Sequence, residues 1–574
     1  MIRLRVAAAV FGLLLLPSLA LAHGGAYTPP GPGGRGKDSG GQVPPGTADP
    51  PAARAVVTRW EAWWAANKES YLRLHERMRD EAPGGGVTTP KEGDGDSVKA
   101  KADQADADAR ESVVGLFIEA LKDDYFDVRT AAAIALGKSE DARGLKPLMK
   151  AALKDDHKEV REAATLGLGL LANEGAVPFL DILMNDHKAN DRHRAFAAFS
   201  LGLIGGDDSA SSLLRFLDPR SGPKISGGNK KSGPLMASVF VALGLTGHQR
   251  AAVTLRAALD KKSYDDTVKG FVVLSLGRLA DRPSLERLTT MVRKDRDSNL
   301  RRSAAIALGR IAKVSDKPAV DALYDALTSD KDPVTRHFAA ISMGTLGKQT
   351  GGGAVRTRLR KRFPRADLMD RPFVALALGI SGDQGSASML RKALETSADE
   401  SQTGSLCLSL ALLGDMQAAP LLEQRVKRKG RVWLQSYAAV GLGMLGHRAS
   451  IPLLKEKLIN SNESRIRMNM GVALGLLRDP TAKAFFTKTM KGDGTLYERS
   501  SAAMSLAVLR VTSSMPDLVA MYRNKKEKDM VRAFAVVALG VLADPAPFPK
   551  LARIAIDHNY SISVDPLDEV LSIL

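Results

Sequence analysis

The 574-residue chain predicts an all-α fold, a solenoid of about thirteen helix pairs stacked in series. Three observations predict it. Aromatic residues make up only 5% of the chain, so alanine, leucine and valine must fill its core, which favours helices over sandwiches or barrels. The phrase "RTAAAIALG", Arg129 to Gly137, reads as an alanine-rich helix closed by a glycine, and it recurs down the chain at a period near 32 residues. Each copy is preceded by a second amphipathic stretch, such as "GLKPLMKAALKDD", and a turn usually rich in acidic residues. Neither helix of such a unit can bury its apolar face alone, so stability must come from stacking on the next pair.

Residues 1–22, "MIRLRVAAAVFGLLLLPSLALA", have a basic start, an apolar middle and a closing Ala20-Leu21-Ala22, the pattern of an export signal cut before His23. No later apolar run reaches the ~18 residues of a membrane span, so a chain in the periplasm or secreted beyond it is expected, with no stable membrane insertion after cleavage. Cys407 is the only cysteine, which rules out an intramolecular disulfide. Residues 23–52 are dominated by glycine and proline and read as a disordered tether. Residues 53–82 predict a helix with Trp60, Trp63, Trp64, Tyr71 and Met78 on one face, and residues 83–108 predict a flexible linker. This helix is expected to cap the first repeat, the exposed end of a solenoid needing cover; docking on a separate partner is the alternative.

The repeat array is expected over 109–545. Its thirteen phrases end at Gly137, Gly169, Gly202, Gly244, Gly277, Gly309, Gly344, Gly379, Ala411, Gly443, Gly475, Ala507 and Gly540. Glycine inside a helix costs ~1 kcal/mol against alanine, so its recurrence needs a reason, and close approach of successive inner helices supplies one. Small residues four positions earlier would assist. A second glycine three residues on, at Gly205, Gly247, Gly347, Gly382, Gly414 and Gly446, fits a left-handed helix end. The long interval from Gly202 to Gly244 holds an insertion at 219–233, "PRSGPKISGGNKKSG", with the composition of a surface loop between two helices. Residues 546–574 read as a closing cap.

Eight residues before the final position stands a cation in ten copies: Arg129, Arg161, Arg194, Lys269, Arg301, Arg336, Arg371, Arg467, Arg499 and Arg532. The exceptions are Met236, Thr403 and Gln435. Acidic residues precede all ten, and the loops before Met236 and Gln435 have none, as an ion-pair ladder between repeats requires. A basic stripe for a polyanion is the competing reading.

"VRTAAAIALG", "VREAATLGLG", "LRRSAAIALG" and "VRAFAVVALG" resemble the HEAT-repeat family, in the short bacterial form related to phycobilin lyases. The resemblance implies a right-handed superhelical solenoid whose inner helices line a concave, protein-binding face. An open path of roughly 110 to 130 Å would follow from helix layers ~10 Å apart. Catalytic relatives need side chains that are missing: metal hydroxylases of this type carry repeated His-Glu pairs, and here His75-Glu76 lies outside the array. Bilin lyases act on intracellular pigment proteins, and base-excision enzymes on DNA, neither of which suits export.

No catalytic, cofactor or metal set emerges. Cys407 occupies a slot held elsewhere by Ala133 or Ala305 and reads as a buried small residue. The amine and imidazole of a new N-terminal His23 would chelate Cu²⁺, but a flexible tether offers no further ligands. The candidate binding residues are Arg425, Lys427, Arg428, Lys429, Arg431 and Trp433, in "QRVKRKGRVWLQ" before the tenth phrase: five apparently unpaired cations around an aromatic in a normally polar slot. The cluster "VRTRLRKRFPR", residues 355–365, reads as a solvated outer face. With a formal charge of +18, or +16 once Arg3 and Arg5 leave with the signal, the expected function is an exported, non-catalytic scaffold binding a protein partner. The alternative is a polyanion binder acting through the basic loops, on acidic polysaccharide, anionic lipid or nucleic acid.

Overall fold

The computed structural model describes residues 60–78, 95–218, 232–562 and 564–572, with side chains from 107 onward in the second stretch. The export signal, His23, the tether and residues 219–231 of the 219–233 insertion lie outside the described residues. Helices and turns make up what is described, with no strand among the described residues. Outer helices such as Leu145–Lys154 and Leu285–Lys294 alternate with inner helices such as Lys158–Leu171 and Ser298–Ile311, and each of the thirteen aligned positions falls in an inner helix. The first outer helix, Gly95–Ala120, begins inside the stretch expected to be linker.

Successive inner helices touch backbone to backbone, which explains the glycines. A Cβ on Gly169 would stand 2.6 Å from Ser200 Cα, and one on Gly344 would stand 2.8 Å from Ala377 Cα. The receiving residue lies two positions before the next final position rather than four, because that is the residue the neighbouring helix turns toward the glycine. Gly247, Gly382, Gly414 and Gly446 take positive φ at the helix end, as expected, and so does Gly205. Gly347 does not: it remains inside the helix Pro333–Lys348, packed against Ser381.

The array does not end where the sequence stops repeating. The last inner helix, Asp529–Ala543, packs on the first, Phe126–Lys138, and a Cβ on Gly540 would stand 2.7 Å from Ala135 Cα. Residue types and spacing match the contacts of Gly202 on Ala242, Gly277 on Ala307 and Gly344 on Ala377. The solenoid therefore bends through a full circle and closes into a ring, in place of an open path.

The ladder closes with it. Arg129 donates to both Asp155 oxygens at 2.8 and 3.0 Å, and Arg301 to both Asp330 oxygens at 2.8 and 2.9 Å. Arg336 pairs with Asp370, Arg467 with Glu498 and Arg499 with Glu527. Arg532 reaches Asp123 of the first repeat, both side chains buried. The carboxylate comes from the following repeat, while the preceding turn supplies backbone carbonyls: Arg129 also bonds the Asp123 and Asp124 oxygens. Arg161, Arg194 and Arg371 take carbonyls from Asp155, Met184 and Ala366. A second set of rungs joins outer helices to the aspartate after the next turn, in Arg256–Asp281, Arg391–Asp415 and Lys455–Asp479.

Closure leaves no exposed end, so neither terminal segment acts as an end cap. Both fill the lumen. The tryptophan segment is broken into Trp60–Asn67, Glu69–Leu72 and Leu74–Arg77, with Arg73 in the left-handed region between the last two. Trp60, Trp63 and Trp64 are at most 2% exposed. Trp60 lies across the ring from the first repeat, its indole Nε1 donating to the Ser401 carbonyl and hydroxyl oxygens at 2.9 and 2.8 Å. The C-terminal segment then runs round the inner wall. Lys550 donates to the Leu170 carbonyl, Arg278 and Arg553 hold Ile554 and Leu245 oxygens, Asn559 reaches Ser303, and Tyr560 packs on Phe338. The helix Asp565–Ser572 closes against the third and fourth inner helices. Asn67 Oδ1 accepts from the Asp557 amide at 3.1 Å, tying the two segments together.

Candidate functional site

The basic turn of the tenth repeat joins the outer helix Ala419–Lys427 to the inner helix Val432–Leu445. Where earlier turns carry Asp155 or Asp330, this one carries Arg428 and Lys429, and the ninth inner helix facing it has Thr403 in place of the ladder cation. Cation and carboxylate are absent together, so there is no rung to hold the turn's side chains inward. Lys427, Arg428 and Lys429 are exposed. Gly430, at φ 74°, makes the reversal.

The other three residues expected there are occupied. Arg425 donates to the Leu394 and Glu395 carbonyls, and Arg431 pairs with Glu400 at 3.0 Å, so these two cations are not unpaired. Trp433 is half-buried, with the Arg465 guanidinium 3.8 Å from its ring centroid on one face. Its ring lies 6.2 Å from Tyr437, and Tyr437 lies 4.8 Å from Trp60. An aromatic row thus runs from the basic turn to the lumen. Gly404 makes room for it: a Cβ there would stand 2.9 Å from Tyr437 and 3.0 Å from Trp60. Gln435, in place of the ladder arginine, donates to the Arg428 carbonyl at 2.8 Å and is buried.

Electrostatics at this turn have one sign. The inner helices Ser298–Ile311, Pro333–Lys348 and Glu400–Leu413 are capped by the carboxylates of Asp297, Asp332 and Asp399. Val432–Leu445 begins at Arg431 with no side-chain cap and no acidic residue in its first turn. The positive end of its helix dipole adds to the three exposed cations.

Elsewhere the chemical groups are engaged in structure. Burial pushes the Cys407 thiol up to about 12, far from a thiolate at neutral pH. Glu76 pairs with Arg73, and His75 Nδ1 lies 3.0 Å from the Ala546 carbonyl oxygen. Among the described residues no group of three His, Cys, Asp or Glu side chains is placed to hold a metal ion, and no helix is long and apolar enough to cross a membrane. Of the cluster at 355–365, Arg358 pairs with Asp321, Arg360 with Asp383 and Arg362 with Asp370.

Stacked helix pairs with glycine contacts and a cation ladder between them define the protein as an α-solenoid of the repeat class. The profile of HEAT repeats matches residues 98–168, 145–223, 236–309, 254–344, 292–367 and 419–507, which together exceed half of the chain. The chain belongs to the HEAT-repeat family. Among solved structures it is similar to human deoxyhypusine hydroxylase in complex with glycerol, at 18% identity over 49% of this chain and 99% of that one, with a TM-score of 0.23. It is similar to the CpcE–CpcF complex of phycocyanin lyase from Nostoc, at 17% identity over 55% and 96%, with a TM-score of 0.25. The third likeness is to Kap121p, at 12% identity over 79% and 56%, with a TM-score of 0.34. None of the curated protein sequences matches the chain.

Proposed function

We propose that the protein is an exported, non-catalytic scaffold that binds the acidic face of a protein partner through the outside of the ring, centred on Lys427, Arg428 and Lys429. The observation that carries this reading is the tenth-repeat turn, whose three exposed cations have no rung to make and sit at an uncapped helix start. The filled lumen points the same way, because the inner surface that an open solenoid presents to a partner is covered here by the chain's own ends. Trp433 then supports the turn from within, and Arg431 pairs with Glu400 at its edge.

Charge reversal at Lys427, Arg428 and Lys429 tests it. Captured from the envelope fraction at low and high salt, a partner held by wild type and lost by the reversed variant supports the reading. The same proteins held by both would sink it. A polyanion is the second reading, favoured by the helix dipole at Arg431. Dextran sulfate binding that falls steeply with salt and vanishes in the reversed variant, with no protein captured, would select it.

A further inference from the structure

Beyond the basic turn, the lumen itself contains an open space of about 150 Å³, bounded by the tryptophan segment, the C-terminal segment and the ends of several inner helices. Its wall is mainly apolar, formed by Ala66, Leu72, Leu74, Val472, Val541 and Leu551. Seven ionisable side chains stand in or beside it, among them His75, whose Nδ1 lies against the Ala546 carbonyl. Lys550 pairs with Glu140 at 2.7 Å and donates to the Leu170 carbonyl. Lys138 faces Asp544. Glu69 accepts from the Leu74 amide. Lys68 remains: it is part-buried and lines the space, yet has no hydrogen bond or ion pair from its ammonium to any described residue.

An ammonium removed from bulk water without a partner is costly, and its burial holds Lys68 below the usual lysine range. Glu69, its chain neighbour, offsets only part of this cost: it acts on Lys68 through space without an ion-pair contact, burial raises its own carboxyl, and its hydrogen bond goes to the Leu74 amide. A cavity of this size lined by aliphatic side chains accommodates a body about as large as benzene. We infer that the lumen cavity is a binding site for a small organic carboxylate with an apolar body of about six carbons, its carboxylate taken by the Lys68 ammonium and its body by the wall from Ala66 to Leu551. The site stands apart from the basic turn and from any protein partner bound there.

The test uses purified protein with hexanoate and benzoate as probes, and hexylamine and hexanol as controls of the same body with a cationic or neutral head. Saturation-transfer NMR and thermal shift should detect the two carboxylates and not the amine. Lys68→Met should weaken hexanoate at least about tenfold, the scale of a lost charge-assisted hydrogen bond. Ala66→Leu, which fills the wall without touching a charge, should weaken both carboxylates and serves as the second variant should Lys68→Met fail to fold. Binding of hexylamine or hexanol equal to hexanoate overturns the inference. So does absence of carboxylate binding to wild type, or a folded variant that binds hexanoate as wild type does.

Discussion

The sixth and seventh repeats and the ninth and tenth repeats are built from the same phrase and hold together differently. Between the sixth and seventh, two adjacent arginines each make a bidentate bridge, Arg301 to Asp330 and Arg302 to Asp332, and all four side chains are largely buried. Between the ninth and tenth there is no such bridge. Thr403 replaces the cation and Arg428 the carboxylate, and Tyr437 with Trp60 fills the space instead. Buried ion pairs join the inner helices of the first interface, whereas packing against the lumen segment joins those of the second, which keeps only the peripheral pairs Arg431–Glu400 and Arg391–Asp415. The ladder thus lapses where another part of the chain takes over its job, and there the turn's cations are released to solvent.

Removing the substitute should expose this difference most. Trp60→Ala deletes a fully buried indole and its two hydrogen bonds, with an expected loss of about 4 kcal/mol in urea unfolding. Hydrogen exchange should rise first in 400–445, and uniform exchange across the ring would break the comparison. Asp330→Ala strands Arg301 without its counter-charge and should cost about 3 kcal/mol. Asp123→Ala should match it if the closing interface is a true rung, because Arg532 is buried to the same degree as Arg301. A loss below about 1 kcal/mol at Asp123 would mean that the ring opens in solution.

Acid provides a third probe, aimed at the lumen segment. His558 is buried beside Arg278 and stacked on Phe271, and its pKa is pushed down to about 3 from 6.5. Unfolded histidine takes a proton below 6.5 while the folded form refuses it, so the stability present above that pH is lost as pH falls toward 3. Between pH 7 and pH 5 the expected loss is about 2 kcal/mol, followed by Tm, and His558→Gln should flatten that slope. The smallest effect belongs to the basic turn: Arg431→Gln breaks a pair that is exposed at the arginine and half-buried at Glu400, and should shift stability by less than about 1 kcal/mol. A larger shift would show that the turn is a structural member after all.

Much of this was legible in the sequence because a repeat states its own register. Gly169 and Arg301 announce an inter-helix contact and a rung through recurrence alone. The direction of the rung was not, since acids precede and follow each cation, and only coordinates show that Arg129 selects Asp155 over the carboxylates of its own turn. Closure left one trace that could have been used. Arg532 is a complete ladder residue in the last phrase, with no later copy of the phrase to pair with, and Asp123 is its counterpart in the first. The lumen cavity left none, because Lys68 comes together with Val472 and Leu551 only through the tertiary course of both terminal segments. The departures at Trp433 and Gln435 were visible as oddities, whereas Gly404 went unremarked, and part of their cause, Trp60, was more than 300 residues away.

Gly540 against Ala135 carries a consequence for how such a chain can change. An open stack gains or loses a unit by duplication or deletion and keeps every remaining contact. A closed one has no slack: one unit more would leave two faces competing for the same partner, and one fewer would pull Asp123 away from Arg532 and uncover both faces. Copy number is thereby locked, and variation is left to the turns, where "KRKGR" already differs from its siblings.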